Sequence, residues 1–457
     1  MPLPGKFRMA LRDDPLPVPR DTPMGGYGWG TDRRFTGEPA NPLKIRCVII
    51  VSPQGQRIVL VQVDVISIPK PVYDDILDRL RDEGVVDAAR NFVLAQSHTH
   101  AGPMVGAKPD PLVLLGSADA ATVTEAYTRT FVNEVVATAV RAHQTGLTEV
   151  TLGYAEGFAE IGRNRVGLAY TPREVPVLVA RRTDANRNLF AVLVGHTCHP
   201  VCSPYMGNNT DSDYCGYAVD EVEKRLGVPT VFFQGAAGDI NPVQTDTAWA
   251  ALRLTNAIVA TVRNAAFFPI YGPIVTNLDV VPLPLAVNLD DPGERAALRQ
   301  RYVDRVNQNA PGGVEQAGVR HARKMIAELD DRTASARMPM TIQKIDLGGL
   351  TILTMAHEVL SGYHVGTKAK WVVKNPLQPL WIMAYANHID CYVPAHDVLK
   401  RGGDNESGWN VAANMIGVGT YGHSYSMVSP LAAGVDQHDT NGVEGTLVPR
   451  IAGILGL

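Results

Sequence analysis

The sequence predicts an α/β fold, with mixed sheets and helices in a single large domain. Three observations predict it. Short apolar runs of strand character alternate with longer segments of helical periodicity. The runs end repeatedly in loops of small residues that carry His or Asp. The chain has 457 residues and 45% hydrophobic content, enough to bury a large core.

The elements follow in chain order. Ile45–Val51 and Arg57–Ile66 read as two strands joined by the turn Ser52–Gln56, a hairpin by its signals. Val72–Arg81 is amphipathic, with Val72, Ile76, Leu77 and Leu80 on one side. Phe92–Ala95 is a buried strand. Thr122–His143 is a long helix whose inner stripe is Tyr127, Phe131, Val135, Val136 and Ala139. Val150–Phe158 and Val175–Ala180 are strands, and Tyr217–Leu226 and Trp249–Ala265 are helices. Val275–Leu285 is a strand placed at an edge by Pro282 and Pro284. Residues 293–337 form a charged helical excursion, a lid or an interface arm, broken at Pro311-Gly312-Gly313. The Pro- and Gly-rich stretch Asp13–Pro42 reads as a wrapping segment. Its run Pro23–Gly30 is suited to close approach of backbone to a ligand.

The chemistry gathers where strands give way to loops. Ser97-His98-Thr99-His100-Ala101-Gly102-Pro103 follows one apolar run, and Gly195-His196-Thr197-Cys198-His199-Pro200 follows another. In extended backbone, residues i and i+2 share a face, so His98 and His100 can point the same way. A third loop, Gly238-Asp239-Ile240-Asn241-Pro242, follows Val231-Phe232-Phe233, and Glu358 follows Thr351–Met355. Sites assembled from several loop ends are a common product of α/β scaffolds. Zinc takes imidazole nitrogens and carboxylate oxygens, and its catalytic sites keep a position open for water. His100 or His196 could shuttle a proton, since imidazole titrates near neutral pH. Asp64 is read as orienting a neighbouring ligand, Asp239 as holding its own loop, and Asp213 as a helix-start residue. His357 and His364 are competing ligands.

In this order, His98-Thr99-His100-Ala101-Gly102-Pro103, Asn164-Arg165, His199-Pro200, Gly238–Pro242, Glu358 and Asn387 through Tyr392-Val393-Pro394 resemble the neutral/alkaline, non-lysosomal ceramidase family. The likeness runs from about Gly26 to about Glu406, the span of that family's catalytic domain. It implies a zinc-dependent amidase in which His98, His199, Glu358 and Tyr392 hold the Zn2+ ion. It further implies that His100 handles protons beside the metal and that Arg165 faces the substrate oxygen. Tyr363 and Tyr385 lie near enough in sequence to rival Tyr392. His357 stands where the family usually shows Gly.

Two departures limit what carries over. The family's Gly-Asp loop has a serine regarded as catalytic, and here that position is Asn241. An amide is a poor nucleophile, but it can hydrogen-bond to a substrate. About fifty residues follow Glu406, too few for the β-sandwich domain that such ceramidases usually carry, so residues 1–457 are expected to be one hydrolase domain. The expected function is zinc-dependent hydrolysis of an amide or ester by a metal-activated water. The expected substrate is a small molecule, smaller and more polar than ceramide. The alternative is a carbohydrate-active hydrolase using Glu358, Asp239 or Asp213 as paired carboxylates.

Net charge is −4, which gives no footprint for nucleic acid. No run of about 18 apolar residues occurs, which argues against a membrane span. Met1–Lys6 lacks the apolar region of a secretory signal, so the expected location is cytoplasmic, with secretion left open. A homo-oligomer is compatible with the sequence. The five cysteines are an odd number and are expected as small buried residues, not a disulfide framework.

Overall fold

The computed structural model describes residues 5–26, 33–106, 118–203, 207–308, 317–401, 406 and 442–457. Its centre is two packed sheets. The larger runs in the order Phe92–Gln96, Arg57–Val63, Lys44–Val51, Phe7–Pro15, Thr148–Phe158, Glu174–Arg182, Leu189–His196, Thr230–Gln234, with Phe268–Pro269 added beside Thr148–Phe158. The smaller runs Val275–Pro284, Arg337–Asp346, Thr351–Met355, Leu380–Met383.

Period-2 alternation divides each strand between two layers of core. Leu178 and Ala180 pack inward with Phe7, Val48, Ile50 and Leu60 against Ile345, Ile352, Trp381 and Met383 of the smaller sheet. On the outer face, Ile45, Cys47, Val59, Val61 and Leu94 meet Val72, Ile76, Leu77 and Leu80 of the helix Lys70–Asp82. They also meet Phe131, Val135 and Ala139 of the helix Ala118–Gln144. Val177 and Val179 take the helices Asp213–Leu226 and Thr247–Asn264. Leu353 and Met355 face the other way, toward Leu298, Tyr302, Met325, Trp371 and Leu447 on four further helices. The layers are therefore helices, sheet, sheet, helices, an α/β architecture in one large domain. Each fully buried Leu, Ile, Val or Phe in them contributes about 1.5–3 kcal/mol relative to exposure.

The hairpin, the long helix and the edge position of the Pro-bearing strand are found where periodicity placed them. Only the first residues of the Asp13–Pro42 stretch depart from the expected wrapping segment, as Asp13–Pro15 end a strand. Phe7–Pro15 is a strand inside the large sheet, paired with Lys44–Val51 and Thr148–Phe158. Asp14 there is buried, and it is held by Arg12 at 2.7 Å and Arg141 at 2.8 Å. Two helices of the 293–337 excursion, Pro292–Asn307 and Ala317–Asp330, bury Leu298, Tyr302, Ala322, Met325 and Leu329 in the outer core. The Pro311–Gly313 break and Tyr27–Gly30 lie outside the described residues.

The strands also position the loops. Within these two sheets three pairs of strands are parallel: Arg57–Val63 with Phe92–Gln96, Leu189–His196 with Thr230–Gln234, and Thr351–Met355 with Leu380–Met383. Segment 384–387 joins the two edges of the large sheet. Ala384 N–H donates to Gln234 O at 2.9 Å, Gln96 N–H to Tyr385 O at 3.0 Å, and Asn387 N–H to Leu94 O at 2.6 Å. The carboxyl ends of all three pairs therefore converge, the usual place for a site in an α/β sheet.

Gly238 lies against this convergence. A Cβ there would sit 2.8 Å from Leu360 Cδ1, 2.9 Å from Glu358 O and 3.0 Å from Val359 O. Gly238→Ala is expected to lower stability by about 1–3 kcal/mol, the usual cost of overpacking. Gly146→Ala, with open space around its Cβ, is the control. Urea denaturation of both variants reads the difference.

Asp211 ties the loop after His100 to the helix Asp213–Leu226. Its N–H donates to Ala101 O at 2.9 Å, and its Oδ1 accepts Asp213 N–H at 2.9 Å. Burial raises its pKa to about 6, with the Asp213 charge adding to the rise. A folded-state pKa above the unfolded value contributes stability that is complete below about pH 4 and lost as pH rises through about 6. Asp211→Asn keeps the acceptor and removes the titration. Between pH 4.5 and 7.5 its stability relative to wild type is expected to rise by about 1–3 kcal/mol. A pH-independent difference in denaturation would contradict this.

Candidate metal centre

His98 follows the strand Phe92–Gln96 and has left-handed backbone, φ 67°. Its N–H donates to Val65 O at 3.1 Å. Its Nδ1 lies 2.7 Å from Ile66 O, in the loop at the end of the neighbouring parallel strand. His199 repeats the device. It follows Leu189–His196, and its Nδ1 lies 2.7 Å from Ala237 O, beyond the parallel strand Thr230–Gln234. A carbonyl can only accept, so both Nδ1 atoms carry hydrogen, and in the neutral ring each Nε2 presents a lone pair.

Both Nε2 atoms lie 3.2 Å from the same atom, Oε2 of Glu358. Burial, aided by the nearby Arg165 charge, pushes the His199 pKa down to about 4, so His199 is neutral at pH 7. Burial opposes ionisation of the Glu358 carboxyl, and only positive charge or donated hydrogen bonds at His98 and His199 bring its pKa down. Where the rings present lone pairs instead, a cation between them has to supply that charge. Two imidazole lone pairs and an ionised carboxylate thus face one another in a buried space, an arrangement that needs a positive charge between them. Glu358 Oε1 is also buried and has no hydrogen-bond partner among the described residues. Such an orphan calls for an ion or water. The donor set of two imidazoles and a carboxylate fits zinc.

His100 Nε2 lies 3.2 Å from His98 Nε2, and the rings of His98, His100 and His199 form one cluster able to hold a metal ion. His100 is the partly exposed member. Burial and the neighbouring histidines push its pKa well below the ordinary value. Gly26, at φ 102°, brings its Cα close above this ring: a Cβ would fall 2.7 Å from His100 Cβ. The close approach expected of the N-terminal Gly run is thus made to His100.

Arg165 stands beside the cluster with four of its five N–H groups occupied. It donates to Asn241 Oδ1 at 2.9 Å, Gly238 O at 2.8 Å and Tyr392 OH at 3.0 Å, and it forms an ion pair with the buried Glu406. Asn241 lies on the short strand Ile240–Pro242, paired with Gly162–Asn164. Tyr392 is the parallel partner of Glu358.

The structure therefore brings together His98, His100, His199 and Glu358, with Tyr392, Arg165 and Asn241 in a linked group beside them. It places other expected residues elsewhere. Asp64 does not orient a histidine: its carboxylate takes Gln62 Nε2 at 2.8 Å, Lys44 N–H at 2.9 Å and Arg46 at 3.3 Å. Asp239 reaches beyond its own loop to Ser361 N–H and hydroxyl, at the start of the helix Ser361–Lys374, and to Asn164. Asp213 does begin its helix, with its carboxylate on Ser203 N–H and Tyr214 N–H. His196 lies 3.3 Å from Glu174 O, His364 faces Glu174, and Tyr363 donates to Pro394 O. All five cysteines are buried thiols.

Tyr385 was legible only as a rival of Tyr392. Its hydroxyl lies 3.4 Å from Glu358 Oε2, and its ring centroid is 4.5 Å from that of His98. No motif marks it, because a left-handed turn at φ 52° aims it there. Glu406 carried no signal beyond marking the end of the resemblance.

No family model matches the chain, and no curated protein sequence does. Solved structures do. A neutral ceramidase from Pseudomonas aeruginosa aligns over 93% of this chain and 72% of its own, with a TM-score of 0.65 and 18% identity. A ceramidase complexed with C2 aligns over 94% and 73%, with a TM-score of 0.64 and 18% identity. The chain has the neutral-ceramidase-like fold.

Proposed function

We propose that this chain is a zinc-dependent hydrolase that cleaves an amide or ester in a substrate smaller and more polar than ceramide. One observation carries the reading: two histidine lone pairs, each set by a backbone carbonyl, meet a buried carboxylate 3.2 Å away. The fold shared with neutral ceramidases supports it.

In this reading His98, His199, Glu358 and Tyr392 hold the ion. Bound zinc acidifies water to near neutral pKa and polarises a carbonyl. The chain's own groups do the rest. His100, neutral and partly exposed, accepts a proton at Nε2 and passes it to the leaving group. Arg165 keeps Tyr392 OH and Asn241 Oδ1 in place, and its remaining N–H is available to a substrate oxygen. Asn241 turns its Oδ1 to Arg165, which leaves its NH2 to orient a polar substrate. It supplies no nucleophile. A guanidinium and an amide beside the cluster favour a polar ligand.

Among the described residues no helix is long and apolar enough to cross a membrane.

Purified protein is expected to carry about one equivalent of zinc, as a tight site does. His98→Ala and His199→Ala should lose metal and turnover together. Arg165→Ala should keep the metal and lose roughly 100-fold or more in turnover, the scale of a removed oxyanion donor. Asn241→Ala should lower turnover without abolishing it. The substrates to compare are short N-acyl amides and esters, long-chain ceramide, and glycosides. Efficient ceramide cleavage overturns the substrate reading. Glycoside cleavage that survives a chelator favours the carbohydrate-active alternative.

A further inference from the structure

Directly behind Glu358 lies a second group of buried titratable side chains, His357, His388 and Asp390. Their candidate ligand atoms fall within 4.8 Å of one another, the spacing of a metal cage. Their hydrogen bonds assign them a different task. His357 Nδ1 accepts the Asp390 N–H at 3.0 Å, and His357 Nε2–H donates to Pro339 O at 2.9 Å. His388 Nδ1 lies 2.6 Å from Asp390 Oδ2, and its Nε2 lies 3.1 Å from the Thr341 hydroxyl. A neutral imidazole has one donor and one acceptor nitrogen, and in both rings both are engaged. No lone pair is left over for an ion.

What this knot joins is more telling. Asp390 Oδ1 accepts Lys70 N–H at 3.2 Å, across 320 residues. Lys70 begins the helix Lys70–Asp82, whose preceding Pro69 offers no side-chain cap, so the carboxylate meets an open helix start. Ile389 N–H donates to Ile68 O at 2.8 Å in the same segment. That segment also carries Ile66, whose carbonyl sets the tautomer of His98. On the other side, His357 N–H donates to His388 O at 2.9 Å, and Glu358 N–H donates to Cys391 O at 3.1 Å. Cys391 precedes Tyr392, which pairs with Glu358. The backbone that orients His98, the backbone that bears Glu358 and the backbone that bears Tyr392 thus meet at one polar knot.

We infer that Asp390 and His388, backed by Thr341, are positioning residues of the metal centre that hold the Ile66, Glu358 and Tyr392 segments in one register. They touch neither substrate nor ion. The inference rests on the zinc reading above. Groups that orient ligands from outside the metal's own ligand set are typically worth about 10–100-fold in metal affinity.

The test is zinc affinity by chelator competition, together with the visible spectrum of the Co(II)-loaded protein. Asp390→Asn is expected to weaken zinc about 10–100-fold and to shift the Co(II) bands. Thr341→Val, a change of little volume, is expected to weaken zinc by about 10-fold, at the low end of that range, and Thr341→Ser to restore it. A role in stability alone would lower the melting temperature and leave affinity and spectrum unchanged. That result in Asp390→Asn overturns the inference, and if Asp390→Asn does not fold, the same result in Thr341→Val does so. Wild-type protein that loads no zinc overturns the functional reading and this inference together. Wild-type protein that loads one equivalent, beside variants that bind it equally well, overturns this inference alone.

Discussion

Everything at the centre of this molecule depends on two hydrogen bonds to backbone carbonyls, His98 Nδ1 to Ile66 O and His199 Nδ1 to Ala237 O. Each places a hydrogen on one ring nitrogen and therefore a lone pair on the other. Rotated or switched to the other tautomer, either ring would donate its Nε2–H to Glu358 and form an ordinary buried hydrogen bond. Held as they are, both neutral rings bring lone pairs to 3.2 Å from a fully buried carboxylate. Burying that charge without compensation would cost several kcal/mol. The cluster offers the donors a cation would need, and the backbone carbonyls hold the rings in that arrangement.

The sheet makes this possible through a repeated local rule. Each histidine comes from the end of one strand, and the carbonyl that orients it comes from the end of the parallel strand beside it. Glu358 and Tyr385 follow the third parallel pair, and Tyr392 pairs with Glu358 on a short parallel pair of its own. Parallel neighbours end side by side, so a ligand and its orienting group can arrive from loops far apart in sequence. Segment 384–387 then binds both edges of the large sheet and brings Tyr385 against Glu358.

Much of this was legible in the chain. His-x-His after an apolar run, His199-Pro200 after another and Glu358 after a third mark the strand ends whose side chains come together. Hydrophobic periodicity placed the helices that cover the sheet. The illegible parts have physical reasons. Phe7–Pro15 hides as a strand because Asp13, Asp14 and Pro15 spoil its pattern, and Asp14 is tolerated only through Arg12 and Arg141. Ile66 and Ala237 act through carbonyl oxygens, which every residue has, so side-chain identity cannot reveal them. Asp64 looked like the natural orienting group for a histidine because it ends a strand beside the site. Arg46 and Gln62, buried on the same strand pair, claim it first.

Backbone strain tells the same story from another direction. His98, His357, Tyr385 and Asn387 all have positive φ, at 67°, 69°, 52° and 68°. Asn and His tolerate this region better than most residues, but for a bulky Tyr it is a genuine outlier. Such conformations cost about 1–3 kcal/mol each and persist only where surrounding structure over-determines them. Here the over-determination is visible. Tyr385 is gripped by its own N–H to His357 O and by its carbonyl to Gln96 N–H, and Asn387 by Leu94 through both backbone and side chain. The strained residues lie at the turns that aim Glu358, Tyr385 and His98 at one point. A relaxed backbone at these turns would leave the strands intact and point those side chains apart, so the strain belongs to the site and not to the sheets that carry it.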